Sequence, residues 1–200
     1  MKNFTILITL FISWKLSYSQ TTNLELALDG KKAAYYIALE NKLGSEEYKD
    51  NSTYYSGNNT AQPRIFMRKQ QDIPNLLVYY TFLKTDSTVS EILYEWDVSN
   101  FDKKDNNQQT LEFEKKLIDQ YNLLTKLISS KYGEADTNGS LNDLSLINSR
   151  IGLRRTDIWK PDNRFQVRSY VTISNFYNQS AFTTLNPTHR IRIYVELTKN

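Results

Sequence analysis

Apolar positions between Thr110 and Gly133 recur at helical spacing. Phe113, Leu117, Tyr121, Leu124 and Ile128 follow one another at steps of four, four, three and four, while Lys115, Asp119, Asn122, Lys126 and Ser129 keep the same rhythm on the opposite side. The spacing predicts an amphipathic helix lying on an apolar surface. Thr110 suits its N-cap, Glu112 and Glu114 place negative charge in the first turn and Lys131 positive charge in the last. Gly133 can take the left-handed conformation that closes a helix. A second helix is expected over Asn23 to Gly44, with Ala33, Tyr36, Ile37, Leu39, Glu40 and Leu43 at helical spacing and Gly30 weakening its start.

Elsewhere the period is two. From Val89 to Val98, Ile92, Tyr94, Trp96 and Val98 alternate with Glu91, Glu95 and Asp97. From Arg164 to Ser174, Phe165, Val167, Ser169, Val171 and Ile173 alternate with Gln166, Arg168, Tyr170 and Thr172. From Thr188 to Thr198, Ile191, Ile193, Val195 and Leu197 alternate with Arg190, Arg192, Tyr194 and Glu196. Shorter strands are expected at Arg64 to Lys69, at Arg150 to Asp157 and at Leu76 to Leu83, which is apolar on both faces as a central, partly shielded strand would be. The polar stretches Ser45 to Gln62, Asn100 to Gln109 and Glu134 to Asn148 read as loops. Asn175 to Pro187 is long for a hairpin connection, so its tip should be exposed. The expected fold class is α+β: an antiparallel sheet of about six strands with two helices on one face.

The two halves resemble each other. Asn41-Lys42-Leu43-Gly44 closes the first helix where Ser130-Lys131-Tyr132-Gly133 closes the second. Arg64 to Lys69 matches Arg150 to Arg155, and Asp72-Ile73-Pro74 is answered by Asp157-Ile158 and Pro161. Either an α-β-β-β unit is duplicated, as residues 23–98 and 110–198 of one domain over 20–200, or two short basic strands are alike by chance. The order of elements looks like the duplicated helix-on-sheet folds of secreted inhibitor and outer-membrane assembly proteins. That likeness concerns element order only.

Residues 1–19 change the picture of where the chain resides. Lys2 supplies a positive start, Phe4 to Trp14 an apolar run, and Ser17 and Ser19 the small residues that precede signal cleavage, so the mature chain is expected to begin at Gln20. Lys15 interrupts the apolar run short of a membrane span, and no span is expected after cleavage. The absence of cysteine excludes disulfides, thiolate metal sites, a cysteine nucleophile and a lipoprotein anchor. A periplasmic or secreted location is expected. Without Lys2 and Lys15 the chain carries 23 basic and 22 acidic residues, a net +1 that disfavours nucleic acid as a partner. Charge is uneven: residues from Ser145 onward carry +6, and Gln20 to Leu144 carry −5.

Few residues invite chemistry. His189 is the only histidine; its strand parity puts it at the edge of the buried face, where a backbone-bonded structural role outweighs a catalytic or metal one. No Gly-x-Ser-x-Gly turn or phosphate-binding glycine loop occurs, and one histidine without cysteine leaves only oxygen ligands for a metal. Asp136-Thr137-Asn138-Gly139 reads as a turn and not a calcium loop, because its glycine comes too early. Asp102 and Asp105 read as solvated charge ahead of the long helix. No cofactor and no metal are expected.

Arginine stands out. Seven of the nine arginines lie at or after Arg150, and strand parity places Arg168, Tyr170, Arg190, Arg192 and Tyr194 on the side away from the apolar face. Guanidinium forks bind oxyanions bidentately and tyrosine adds flat contact area, so such a face suits an acidic protein or an anionic polysaccharide. The bland reading is a solvated outer face whose arginines pair with carboxylates of the acidic half. The expectation is an exported, non-catalytic binding protein. An envelope hydrolase using a carboxylate pair and a structural accessory subunit are the alternatives.

Overall fold

Eight strands pair into one antiparallel sheet in the computed structural model, which describes residues 23–49, 59–101 and 107–198. In chain order the strands are β1 (Glu46–Glu47), β2 (Arg64–Arg68), β3 (Leu76–Phe82), β4 (Val89–Asp97), β5 (Asp136–Ser140), β6 (Leu153–Trp159), β7 (Phe165–Ser174), β8 (Asn178–Gln179), β9 (Thr184–Leu185) and β10 (Thr188–Leu197). The sheet runs β1-β2-β3-β4-β10-β7-β6-β5, and β8 pairs with β9 as a separate hairpin. The chain is therefore α+β, with eight strands in the sheet where six were expected. The two additional strands, β1 and β5, lie at the sheet edges in stretches too polar to read as strands. Every residue of both is exposed, so neither carries the alternation that burial imposes.

Asp136-Thr137-Asn138-Gly139 is thus an edge strand and not a turn. Gly139 is needed there for close approach: at φ 91° a Cβ would stand 2.3 Å from the Arg154 carbonyl oxygen. The residue match between halves also fails in detail. Asp72 sits in a turn at φ 67°, whereas Asp157 is a fully buried residue in the middle of β6.

The long helix, here α2, spans Leu111–Tyr132. The Thr110 hydroxyl accepts from the Phe113 N–H at 3.2 Å, and Gly133 closes the helix at φ 82°. Leu117, Ile118, Tyr121, Leu124 and Ile128 are buried with Val171, Ile173, Ile191 and Ile193 in one core, so Leu124 and Val171 belong to the helix–sheet contact as their spacing implies. Thr110→Ala should cost about 1 kcal/mol, because one N-terminal donor loses its partner while the apolar face stays intact. Urea unfolding monitored at the helical circular dichroism band checks this, and an unchanged midpoint would remove the cap from the account.

The first helix, α1, is much shorter than expected, spanning Ala33–Lys42. Residues 23–31 ahead of it form no regular secondary structure, and Leu26 and Leu28 are buried in the core with Leu24 packed against it. This strap is fastened by tyrosines. Tyr94 Oη accepts from Glu25 N at 2.8 Å, and Tyr132 Oη donates to the Leu26 carbonyl at 2.7 Å. Leu24, Leu26 and Leu28 recur at every second residue, a spacing that argues against a helix there and is masked by the helical pattern that follows it.

Both helices cover the same face. Tyr36 of α1 packs on Tyr80 at 4.8 Å between ring centroids, Tyr80 pairs with Ile92, and Ile92 with Val195. The face that carries Val195 also carries Ile193 and Ser169, against which α2 sets Tyr121. On the other face, Ile65, Leu77 and Tyr79 form a smaller apolar cluster with Tyr48, Met67 and Leu93, the second-side shielding expected of β3. Residues 1–22, with the expected signal and cleavage point, lie outside the described residues, as do Asp102 and Asp105. Among the described residues no helix is long and apolar enough to cross a membrane.

Candidate binding face

Strand β10 lies at the centre of the sheet, between β4 and β7, and its alternation decides what each face displays. Ile191, Ile193 and Val195 are fully buried under the helices. Arg190, Arg192 and Tyr194 therefore stand on the uncovered face, as do Arg168 and Tyr170 of β7. Register completes the arrangement: Arg192 lies opposite Tyr170, and Tyr194 opposite Arg168. The five residues singled out by parity share one surface.

Their side chains touch. Tyr170 and Tyr194 stack with centroids 6.2 Å apart and planes at 22°. The Arg168 guanidinium lies 4.6 Å above the Tyr194 ring, and Arg192 Nη1 donates to Tyr170 Oη at 2.9 Å. Each arginine also meets a carboxylate. Arg190 Nε donates to Asp97, Arg192 Nε donates to Glu95, and Arg168 Nε donates to Glu196 at 3.2 Å. Asp97 and Glu95 are almost wholly buried and bind other donors: Ser99 N and Oγ at 2.9 and 2.8 Å on Asp97, and Tyr79 Oη at 3.1 Å and Asn100 Nδ2 at 2.7 Å on Glu95. Burial alone would lower the Arg192 guanidinium; the Glu95 charge beside it outweighs that and holds it above its ordinary value. Burial pushes the Tyr194 phenol up to about 12. Glu91 is also raised, by burial and by Glu196 directly opposite it on β10.

The acidic half thus supplies two of the three counter-charges, Asp97 and Glu95, and the basic half supplies Glu196 itself. Glu91, Glu95 and Asp97 were legible as one row of β4, but pairing of β4 with β10 is a long-range fact that alternation cannot supply. One detail leaves the arginines with spare capacity. All three bind their carboxylates through Nε; Arg192 also bonds the hydroxyls of Tyr170 and Tyr194, while Arg168 and Arg190 show no hydrogen bond from a terminal nitrogen among the described residues.

Three polar clusters are buried on the helix-covered face. Under α1, Arg68 holds Glu40 through two nitrogens, and Tyr80 and Ser45 hydroxyls donate to the same carboxylate. Under α2, Asp157 accepts from Arg155 Nε and Nη2, each at 2.9 Å, from Tyr121 Oη at 2.6 Å and from Thr137 Oγ1. A cleft of about 380 Å³ opens beside it, lined by Ser129, Glu134, Thr137, Arg155 and Trp159 among others. At the other end of α2, His189 is buried with Nε2 3.4 Å from Glu114 Oε1, while Asn175 Nδ2 donates to that oxygen at 2.6 Å. His189 bonds a carboxyl group, and not backbone as expected; its Nδ1 has no hydrogen-bond partner among the described residues. The described residues contain no cluster of His, Asp and Glu able to hold a metal.

No family model matches the chain, and no curated protein or solved structure matches it either, so the likeness to duplicated helix-on-sheet folds stands on element order alone.

Proposed function

We propose that the chain is an exported, non-catalytic binding protein that takes an acidic protein or an anionic polysaccharide on the face formed by Arg168, Tyr170, Arg190, Arg192 and Tyr194. The observation that carries this reading is the single-point Nε pairing. Glu95, Asp97 and Glu196 fix the guanidinium groups in place and leave terminal nitrogens for a bidentate oxyanion, with flat tyrosine rings between them. The same carboxylates cancel most of the local charge, so recognition relies on fork geometry more than on a long-range field. The hydrolase alternative finds less support. Glu40, Glu95 and Asp157 each bind an arginine and at least one hydroxyl, the surroundings of structural carboxylates.

Duplication belongs to this proposal as well. In β1-β2-β3-β4-β10-β7-β6-β5 each half contributes a helix, then an edge strand, then strands stepping inward to the centre, which fits two copies of one unit set back to back.

The test uses Arg190→Lys with Arg192→Lys, a pair that keeps both charges for Asp97 and Glu95 but removes the forks. Retention on immobilised polyglutamate and polygalacturonate should fall about tenfold while thermal stability stays close to that of the parent. No retention of the parent protein on either matrix, or equal retention of the variant, would sink the proposal.

A further inference from the structure

Between β7 and β10 the chain leaves the sheet after the Ser174–Thr188 pair and forms the β8–β9 hairpin. Residues 175–187 contain no charged side chain, in a protein of which 24% is charged. At the tip Phe182 is 98% exposed, and Tyr177 and Leu185 are exposed nearby. A ring so placed is costly to leave in water, and this one is held out by a braced turn. Ser180 N donates to the Thr183 carbonyl at 2.9 Å, and Ser180 Oγ accepts from Thr183 N at 3.1 Å. The base is anchored too. Asn175 exchanges hydrogen bonds with Gln109 just ahead of α2 and donates to Glu114, and its N–H donates to the Ile147 carbonyl.

Beside this projection the same hairpin carries a recess. A cleft of about 310 Å³ is lined by Arg150, Phe176, Asn178, Ser180, Thr183 and Leu185. Its apolar wall comes from Phe176 and Leu185, and its one charge is Arg150, an exposed guanidinium that makes no ion pair among the described residues. An aromatic ring against an apolar wall and beneath a free guanidinium is a favourable pairing. The ring of the same chain does not line this recess. A second copy offers one, and a projection and a recess side by side on one element are what a two-fold contact uses, each copy's ring entering the other's recess.

We infer that the protein associates with a second copy of itself through this hairpin, Phe182 of each copy seating in the recess of the other beneath Arg150. The hairpin itself carries no charge and Arg150 is the one charged group of the recess, so salt screens only the mutual repulsion of the two Arg150 side chains and does not weaken the contact, unlike capture of an anion by the sheet face. Sedimentation velocity of the purified protein from about 10 μM to about 1 mM should follow a monomer–dimer transition that persists in about 1 M salt. Phe182→Ser, a change at an exposed tip, should leave the circular dichroism spectrum unaltered and move the transition at least about tenfold higher in concentration. The chain has no cysteine, so Phe182→Cys can carry a single benzophenone in place of the ring. Photolysis should join two copies with the label attached among residues 176–185 of the second. A parent protein that stays monomeric throughout overturns the inference, including where the label is taken up by a different exported protein. So do a serine variant that dimerises like the parent and a label attached elsewhere on the second copy. The two anion matrices report on the sheet face alone, so either proposal can fail while the other stands.

Discussion

Replacing Glu40 with alanine should lower the stability of the protein by about 3–5 kcal/mol, the range for breaking a buried ion pair from one side. Helix α1 has little else to hold it, because Tyr36 and Glu40 are its only buried residues. The Arg68 side chain beneath it is 1% exposed, and among the described residues its guanidinium would keep only the bond from Nη1 to the Asn23 carbonyl at 2.8 Å. Tyr80 Oη would lose its acceptor as well. Urea unfolding measures the loss. Glu40→Met with Arg68→Met should recover most of it, since removing both charges leaves neither uncompensated. Burial raises the Glu40 carboxyl, but Arg68 outweighs it and holds the group below its ordinary 4.5. The contribution is therefore present above about pH 4.5 and is lost as pH falls through the depressed value. A loss below about 1 kcal/mol would mean that the two groups do not share a buried site.

Periodicity disclosed what burial had written into the sequence, and little else. Helix α2 and strands β4, β7 and β10 each set an apolar side against a polar one, β3 is apolar on both faces, and the bounds of these elements and of β2 and β6 fell within a few residues of expectation. Edge strands β1 and β5 bury nothing and were invisible. The buried charges misled in another way. Arg68, Glu40, Asp157 and Glu114 looked like ordinary polar positions, because only the partner brought up by the fold makes burial of each tolerable. On the candidate face, parity identified the five residues from one strand at a time. Which carboxylates would meet them depended on β4 lying beside β10, and no local signal encodes that neighbour. Phe182 was legible only as part of a long connection expected to be exposed at its tip.

The pair formed by Glu114 and His189 should hide a strong pH dependence that single substitutions uncover. Burial pushes the Glu114 carboxyl up to about 7 from 4.5, so between those values the folded protein keeps a proton that the unfolded chain has released. Alone, this group removes stability as pH rises through that window. Burial also pushes His189 down to about 4 from 6.5, with the Asp97 charge opposing it in part, so there the unfolded chain binds a proton that the folded protein does not. Alone, this group removes stability as pH falls from 6.5 to 4. Between about pH 4.5 and 6.5 the two slopes oppose each other, because the folded pair and the two unfolded groups together each hold one proton. Glu114→Gln keeps an acceptor for Asn175 Nδ2 and abolishes one slope. Relative to the parent, this variant should lose about 3 kcal/mol between pH 6.5 and pH 4, because the Glu114 slope no longer offsets that of His189. His189→Gln should do the reverse, losing about 3 kcal/mol relative to the parent as pH rises from 4.5 to 7. Urea unfolding at closely spaced pH values decides it. Stability curves for both variants that run parallel to the parent would show that neither group changes its proton affinity on folding.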